Sequence, residues 1–233
     1  MYNYGIDHFT MGQAMRLFTE ESLSFLSSLK LNNNREWFEQ HKAEYQKWVQ
    51  KPAVVYLEKL CNCLGEVFGV PFTGKIFRIH RDVRFSKDKT PYNPHIRMMF
   101  YGLDETSLLR PTFFLSIEPE KVFFGVGNHQ FTSKELPVFR ELIMDKEHGE
   151  QLEKLIKSSK ADGFILNEAE LARVPAGYDK LHPRAYLFKH KGFAVWREFA
   201  STIEAVSSLE LCLAVFIQLR PLFKLLKNYT SKD

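Results

Sequence analysis

The first part of the chain has hydrophobic residues spaced as in amphipathic helices. Apolar side chains recur at intervals of three and four between residues 19 and 68, which is typical of helices with one buried side. We expect a first helix after Thr19, a residue type that caps helices. A second is predicted after Asn33, which forms a capping-box pattern with Glu36, and a third at Pro52, which suits a first helical turn.

The middle of the chain changes to the alternating pattern of β-strands. Three strands are predicted, over residues 96–101, 112–118 and 121–128, and the last two form a hairpin around Pro119 and Glu120. Gly125 and Gly127 lie on the same side of the third predicted strand. They either leave space for a ligand or let a neighbouring side chain pack closely, and the sequence favours the packing alternative.

The last part returns to helical spacing. Helices are predicted from Ser133 and over residues 145–157, with a short strand at Phe164–Leu166 between them and the C-terminus. A final helix is expected from Ser207 or Ser208 to about residue 227, kinked near Pro221. Helices, then an antiparallel sheet, then helices indicate one α+β domain over residues 19–228, preceded by an irregular leader over residues 1–18.

The basic stretch of residues 75–97 holds most of the excess positive charge. It contains seven Lys or Arg and two Asp, whereas the 233-residue chain has a net charge of only +4. Residues 77–85 alternate between apolar and polar, apart from Arg81, and predict a strand. On one face of such a strand, polar side chains would form a row with a spacing of roughly 6.6–6.8 Å between neighbours. The members of that row are Arg78, His80, Asp82 and Arg84.

This stretch is the candidate ligand-binding site. Arginine offers planar bidentate contacts to phosphate or carboxylate, and lysine offers a compact charge. The predicted ligand-binding residues are Arg78, Arg84, Lys87, Lys89 and Tyr92. The alternative is an internal ion-pair network in which the arginines pair with nearby carboxylates. The candidate partners for such a network are Asp82, Asp88, Glu36 and Glu118.

Candidates for proton transfer occur in the same stretch. His80, Asp82 and His95 are the catalytic candidates, although no residue pattern assigns them a reaction. A metal site that also used His129 is disfavoured by the neighbouring cations and by the absence of known ligand spacings. Ser86 lacks the Gly-x-Ser-x-Gly context of a nucleophile elbow. We therefore predict no metal site, and the sequence names no cofactor.

Composition narrows the class of protein. The 21 Phe are best explained by a Phe-rich core, and three Cys give no disulfide framework. No signal peptide or membrane-spanning run occurs, so a cytoplasmic protein without a membrane partner is predicted. A pI near 8.8 is too mildly basic for a general nucleic-acid coat. Binding of a small phosphorylated or carboxylated ligand, such as a nucleotide-like molecule, fits better.

An interaction module is the alternative function. A basic groove beside aromatic side chains such as Tyr92 and Trp37 would suit single-stranded nucleic acid, and exposed Arg and Tyr would suit a protein partner. The oligomeric state is not predicted by any pattern in the chain.

Four sequence runs resemble one known family. They are NNNREWFEQHKAEY, RIHRDVRFSKDKTPYNPHI, FFLSIEPEKVFFGVG and VPAGYDKLHP. Over residues 18–225 the chain is similar to the bacterial domain-of-unknown-function family DUF2461. The resemblance implies a soluble α+β domain and no established activity, cofactor or catalytic residue. The family commonly has lysines where this chain has Ala172 and Ala176. If the lysines of other members help to bind an anion, this chain is expected to bind it more weakly.

Overall fold

The structure is a computed structural model that describes residues 17–103 and 107–229. Most of the predicted leader, residues 1–16, lies outside the described residues. Its last two residues, Leu17 and Phe18, are buried in the core. Leu17 and Phe18 therefore belong to the folded unit and not to a leader.

The N-terminal helices begin close to the predicted positions. They are α1 (Glu20–Leu31), α2 (Arg35–Gln40), α3 (Lys42–Tyr45), a π-helical turn (Gln46–Gln50) and α4 (Lys51–Phe68). The prediction that Asn33 caps the second helix is wrong by one residue. The Asn34 side chain accepts a 2.9 Å hydrogen bond from the Trp37 N–H and so caps α2. Gly69, with φ of 70°, ends α4 in the left-handed conformation.

One antiparallel sheet forms the centre of the molecule. Its strands are β1 (Phe72–Ile76), β2 (Ile96–Gly102), β3 (Thr112–Ile117), β4 (Lys121–Asn128), β5 (Ile165–Leu166) and β6 (Phe193–Ala200). The order across the sheet is β1-β2-β3-β4-β6-β5. The predicted strands at β2, β3 and β4 are confirmed, including the β3–β4 hairpin. β1 and β6 were not predicted, and β6 lies between β4 and the edge strand β5.

Further helices lie between β4 and β6 and after β6. They are α5 (Glu135–Met144), α6 (Lys146–Ala161), a 3₁₀-helix (Ala185–Lys189), α7 (Ile203–Ser207), α8 (Leu209–Gln218) and α9 (Arg220–Asn228). Ser208 caps α8 by accepting a 2.9 Å hydrogen bond from the Leu211 N–H. Pro221 lies in the first turn of α9 and does not kink one long helix. The α+β arrangement, with helices at both ends of the chain, is confirmed.

The helices pack on one face of the sheet and leave the other face open. Phe100, Phe113 and Phe124 on the packed face are fully buried, and Phe113 stacks on Phe216 and Phe223 at centroid distances of 4.6 Å. The Phe content therefore builds the core, as predicted. Met99, Phe114, Phe123 and Trp196 point to the opposite face and are only half-buried.

The predicted strand over residues 77–85 is wrong. Residues 77–95 form an irregular segment, here called the basic loop, in which a single bridge pairs His80 with Tyr92. The apolar positions do not share a buried face, since Phe85 is 95% exposed and Phe77 is 47% exposed while Ile79 is buried. The alternation of polar and apolar residues in this segment therefore does not reflect a sheet.

Candidate functional site

A wide groove of about 1440 Å³ lies along the open face of the sheet. The strand register arranges its floor in rows. In the first row Arg97 on β2 faces Ser116 on β3, then come Phe123 on β4 and Glu198 on β6. The second row consists of Met99, Phe114, Gly125 and Trp196. The floor is thus mainly apolar, with a cation at one side of the first row and a carboxylate at the other.

The basic loop borders the groove on the β2 side. Backbone hydrogen bonds hold it as two adjacent arms: the Arg81 N–H donates to the Pro91 carbonyl at 2.8 Å, and the Asn93 N–H to the Ile79 carbonyl at 2.7 Å. The Phe77 N–H donates to the Arg97 carbonyl at 2.9 Å, which fixes the loop against the start of β2. Because of this pairing, cations of the loop lie beside the groove-facing residues of β2.

Four of the predicted site residues line the groove and four do not. Arg78, His80, Asp82 and His95 line it. Outside the lining lie Arg84, Lys87, Lys89 and Tyr92. Their roles in ligand binding stay predictions, and the contacts of three of them show what they do in the folded chain.

Arg84 and Lys89 are engaged within the basic loop. The Arg84 guanidinium makes a bidentate contact with Asp82, at 2.9 Å from Nε to Oδ1 and 2.7 Å from Nη2 to Oδ2. The hydrogen bonds from Arg84 lower the pKa of the Asp82 carboxyl below its ordinary value. The Lys89 ammonium donates to the Val83 carbonyl at 2.9 Å. Part of the basic stretch therefore forms an internal ion-pair network, which was the alternative to a ligand-binding site.

Arg81 closes the tip of the same loop. Its guanidinium forms an ion pair with Asp88 and donates to the Thr90 carbonyl at 3.2 Å. The pKa of Asp88 is lowered to about 2, first by the backbone N–H of Thr90 and then by the Arg81 side chain. Arg81 and Asp88 thus order the loop through their mutual contacts.

Tyr92 anchors the loop to the helical layer. Its side chain is 2% exposed and stacks on Phe38 at a centroid distance of 4.1 Å. The Asn33 side chain spans both backbone groups of Tyr92: Nδ2 donates to the carbonyl at 2.9 Å, and Oδ1 accepts from the N–H at 3.0 Å. Asn33 therefore holds the loop in place, whereas its neighbour Asn34 caps the helix.

Four groove-lining residues, where the basic loop meets β2 and β3, form a set that we call the anion corner. It consists of Arg78, His95, Arg97 and Ser116. The Arg78 guanidinium has no hydrogen-bond or ion-pair partner among the described residues, although Asn93 donates to the Arg78 backbone carbonyl and the guanidinium charge acts on Asp82. Arg97 approaches Glu118 only at 3.9 Å. The Ser116 hydroxyl is in a residue that is 5% exposed, yet it too has no partner within the described part of the chain. Two loosely held cations thus flank a buried hydroxyl.

Comparison of the sequence with known protein families assigns the chain to one of them. A model described as "Conserved hypothetical protein (DUF2461)" matches residues 21–224. The chain belongs to the DUF2461 family. Members of DUF2461 have no assigned function, so the match carries no activity over to this chain. No curated protein matches the chain.

His95 gives the anion corner of this DUF2461 protein a neutral hydrogen-bonding group. Burial lowers the pKa of its imidazole to about 4, and the charges of Arg97 and Arg81 act in the same direction. At neutral pH the ring is uncharged and offers one donor and one acceptor nitrogen. No hydrogen bond within the described residues uses either nitrogen, so both are available to a ligand.

Carboxylates border the opposite side of the groove. Glu198 accepts a 3.2 Å hydrogen bond from the Trp196 indole and lies 3.6 Å from the Lys121 ammonium. Glu168 and Glu170 follow the edge strand β5. Carboxylates therefore lie beside β5 and β6 and cations beside β2, while Arg110 and Lys121 add positive charge between them.

Two other findings bear on the predicted chemistry. No group of three or more His, Cys, Asp or Glu side chains suited to a metal ion occurs within residues 17–103 and 107–229. No helix in those ranges is long and apolar enough to cross a membrane. Ala172 and Ala176, where the family commonly has lysines, are exposed and do not line the groove. Their substitution therefore leaves the groove itself unchanged.

Sequence reasoning missed Arg97, Ser116 and Trp196 as site residues. Arg97 belongs to the basic stretch, but the strand predicted over residues 77–85 placed other cations on the candidate binding face. Ser116 lies on the polar side of a correctly predicted strand, and its position opposite Arg97 follows only from the β2–β3 register. Trp196 belongs to β6, whose alternating pattern in FAVWREFA was the available signal.

Proposed function

We propose that this protein binds a small phosphorylated or carboxylated molecule, such as a nucleotide-like ligand, in the groove on the open sheet face. The observation that carries the proposal is the anion corner, where the unpartnered Ser116 hydroxyl lies directly opposite Arg97. A buried polar group without a partner is uncommon in folded proteins, and a bound ligand is one way to satisfy it. The predicted cytoplasmic location is kept as part of this proposal.

The chemistry of the corner suits an anion with several oxygen atoms. Guanidinium groups bind phosphate or carboxylate through parallel N–H contacts, and Arg78 and the weakly paired Arg97 are the guanidinium groups of the anion corner. Ser116 and the neutral His95 add uncharged donors. The proposal concerns binding, and His80, Asp82 and His95 stay candidates for proton transfer.

The polarity of the groove favours a small anion over single-stranded nucleic acid. A nucleic-acid strand places a phosphate at every nucleotide, so phosphates would continue along the groove. Glu168, Glu170 and Glu198 on the far side would repel them. An oligonucleotide should therefore bind weakly even at low salt, where phosphate contacts are strongest.

A protein partner remains the second candidate function. Phe85 is 95% exposed near the Arg84 guanidinium, which lies 5.9 Å from the ring centroid. An exposed aromatic residue beside an arginine is the combination common at interface hot spots. Pull-down with wild-type protein and with Phe85→Ser would test this function separately from the groove.

Isothermal titration calorimetry with ribose 5-phosphate tests the proposed function. Arg97→Ala should weaken binding about tenfold or more, since hydrogen bonds between charged groups contribute about 1.5–3 kcal/mol. Ser116→Ala should weaken binding less, because one neutral donor is lost. Lys87→Ala is the matched control, since Lys87 is an exposed cation of the neighbouring basic loop that does not line the groove.

The result that would overturn the proposal is equal affinity in the Arg97 and Lys87 variants, or no binding of any phosphorylated or carboxylated probe. Native mass spectrometry of freshly purified protein gives an independent readout, since a tightly held anion should be released by Arg97→Ala. Circular dichroism of each variant confirms that the fold is retained.

A further inference from the structure

The floor of the groove carries an aromatic surface next to the anion corner. In the second row Gly125 lies between Phe114 and Trp196. A Cβ atom at Gly125 would lie 2.3 Å from Phe114 Cζ and 2.6 Å from Trp196 Cβ. The Phe114 ring therefore lies over the glycine and reaches the base of Trp196. The missing side chain lets the two aromatic residues form one surface, which confirms close packing at Gly125.

This surface is half-buried and faces the groove. Phe114 and Trp196 line the groove, and no helix packs over them. By contrast, Lys121 lies over the Phe123 ring at 4.6 Å and covers that part of the floor. A planar ligand group therefore has Phe114 and Trp196 available for stacking.

The strand register sets the distance between the anion corner and the aromatic surface. Arg97 faces Ser116 directly, and Phe114 is the diagonal neighbour two residues along β3. Diagonal neighbours on adjacent strands are about 7–8 Å apart. A ligand that occupies both parts must join an anionic group to a planar ring through one short linker. The pentose of a nucleotide is a linker of that size.

We propose that the groove binds a nucleoside monophosphate, with its phosphate in the anion corner and its base stacked on Phe114 and Trp196. This inference rests on the proposed function and names its ligand class. The carboxylates Glu168, Glu170 and Glu198 on the far side disfavour further phosphates there, which favours a mononucleotide over an oligonucleotide. The Glu198 carboxylate accepts from Trp196 and lies 3.6 Å from the Lys121 ammonium, and we expect its remaining acceptor capacity to serve an amino group on the base. AMP is accordingly the probe.

Calorimetric titration of the wild-type protein with AMP and with ribose 5-phosphate separates the two parts of the site. AMP should bind roughly tenfold to a hundredfold more tightly, because stacking of a base on aromatic side chains contributes about 1–3 kcal/mol. Phe114→Leu keeps an apolar side chain but removes the ring. It should bring AMP affinity close to that of ribose 5-phosphate and leave ribose 5-phosphate affinity unchanged.

Tryptophan fluorescence gives a second readout that needs no destabilising substitution. Of the three tryptophans in the chain, Trp196 lines the groove, whereas Trp37 and Trp48 lie in the N-terminal helices. Stacking of AMP should quench part of the wild-type fluorescence, and Trp196→Phe should abolish that change. Ribose 5-phosphate, which has no base, is the matched ligand control.

The outcomes distinguish this inference from the proposed function. Equal affinities for AMP and ribose 5-phosphate would overturn the nucleotide assignment while the anion site stands. Failure of both ligands to bind would overturn the two proposals together. Binding of adenosine as tight as that of AMP would show a base site without a phosphate site and would refute the arrangement proposed here. If Phe114→Leu fails to fold, the affinities of the wild-type protein for the three ligands and the fluorescence of Trp196→Phe still test the nucleotide assignment.

Discussion

Replacement of Asn33 by alanine should destabilise the protein more than the same replacement of either neighbour, Asn32 or Asn34. The Asn33 side chain is the partner of both the N–H and the carbonyl of Tyr92, at 3.0 and 2.9 Å. Tyr92 is 2% exposed, so water cannot readily replace the lost amide. Asn33→Ala therefore leaves one donor and one acceptor of the main chain unsatisfied.

The expected loss follows from these two groups. A buried polar group without a partner costs about 1–3 kcal/mol, so Asn33→Ala should lower the free energy of unfolding by about 2–4 kcal/mol after partial relaxation of the loop. This is a large share of the roughly 5–15 kcal/mol that stabilises a typical protein. Since the loop borders the anion corner, binding of ribose 5-phosphate should weaken as well.

Urea denaturation of three alanine variants tests this reasoning. Asn32 donates only to the Ser28 carbonyl at an exposed position, so Asn32→Ala should change the free energy of unfolding by less than about 0.5 kcal/mol. Asn34→Ala removes a helix cap and should cost about 1 kcal/mol. Equal stability of the Asn33 and Asn32 variants would refute the role assigned to Asn33.

Three further predictions concern the sheet and two titrating groups. Gly125→Ala should lower the free energy of unfolding by about 1–3 kcal/mol in thermal melts, because the new Cβ would lie 2.3 Å from Phe114 Cζ; an unchanged melting temperature would contradict the packing described. His95 has a pKa lowered from 6.5 to about 4 on folding, so the unfolded chain binds more protons in that window. Its contribution to stability is present above pH 6.5 and is lost as the pH falls, and His95→Gln should lose less stability between pH 6.5 and 4 than the wild type. Asp88 has a pKa lowered from 3.8 to about 2, so its contribution is present above pH 3.8 and lost toward pH 2. Asp88→Asn should be less stable than the wild type at pH 7, and the difference should shrink at pH 2; a constant difference would argue against the Thr90 and Arg81 contacts.

The helices and the central hairpin could be predicted because their signals are local. Helical periodicity, caps and Pro at first turns depend on residues within a few positions of one another, and α1, α4 and β2–β4 were found in this way. Residues 77–85 show the limit of this reasoning. Their alternation suggested a sheet, but whether Phe85 is buried depends on what packs against it, and in the described part of the chain its side chain is left 95% exposed beside Arg84.

The candidate site was located but its composition was only partly predicted. The basic stretch does border the groove, through Arg78 and His95. Which face of the sheet stays open could not be predicted, because Phe114 on the open face and Phe113 on the packed face are equally apolar. The pairing of Arg97 with Ser116 depends on strand register, which a single sequence does not specify.

The open face of the sheet separates the residues that maintain the fold from those that can define a ligand. Stability depends on the packed face and its Phe cluster, whereas Met99, Phe123 and Trp196 face solvent-accessible space on the other side. Substitutions at these three positions can remodel the groove without opening a cavity in the core. One fold can thus present different chemistries on the same strands, which makes the groove a suitable surface for redesigned recognition and a natural place for relatives to diverge in what they bind.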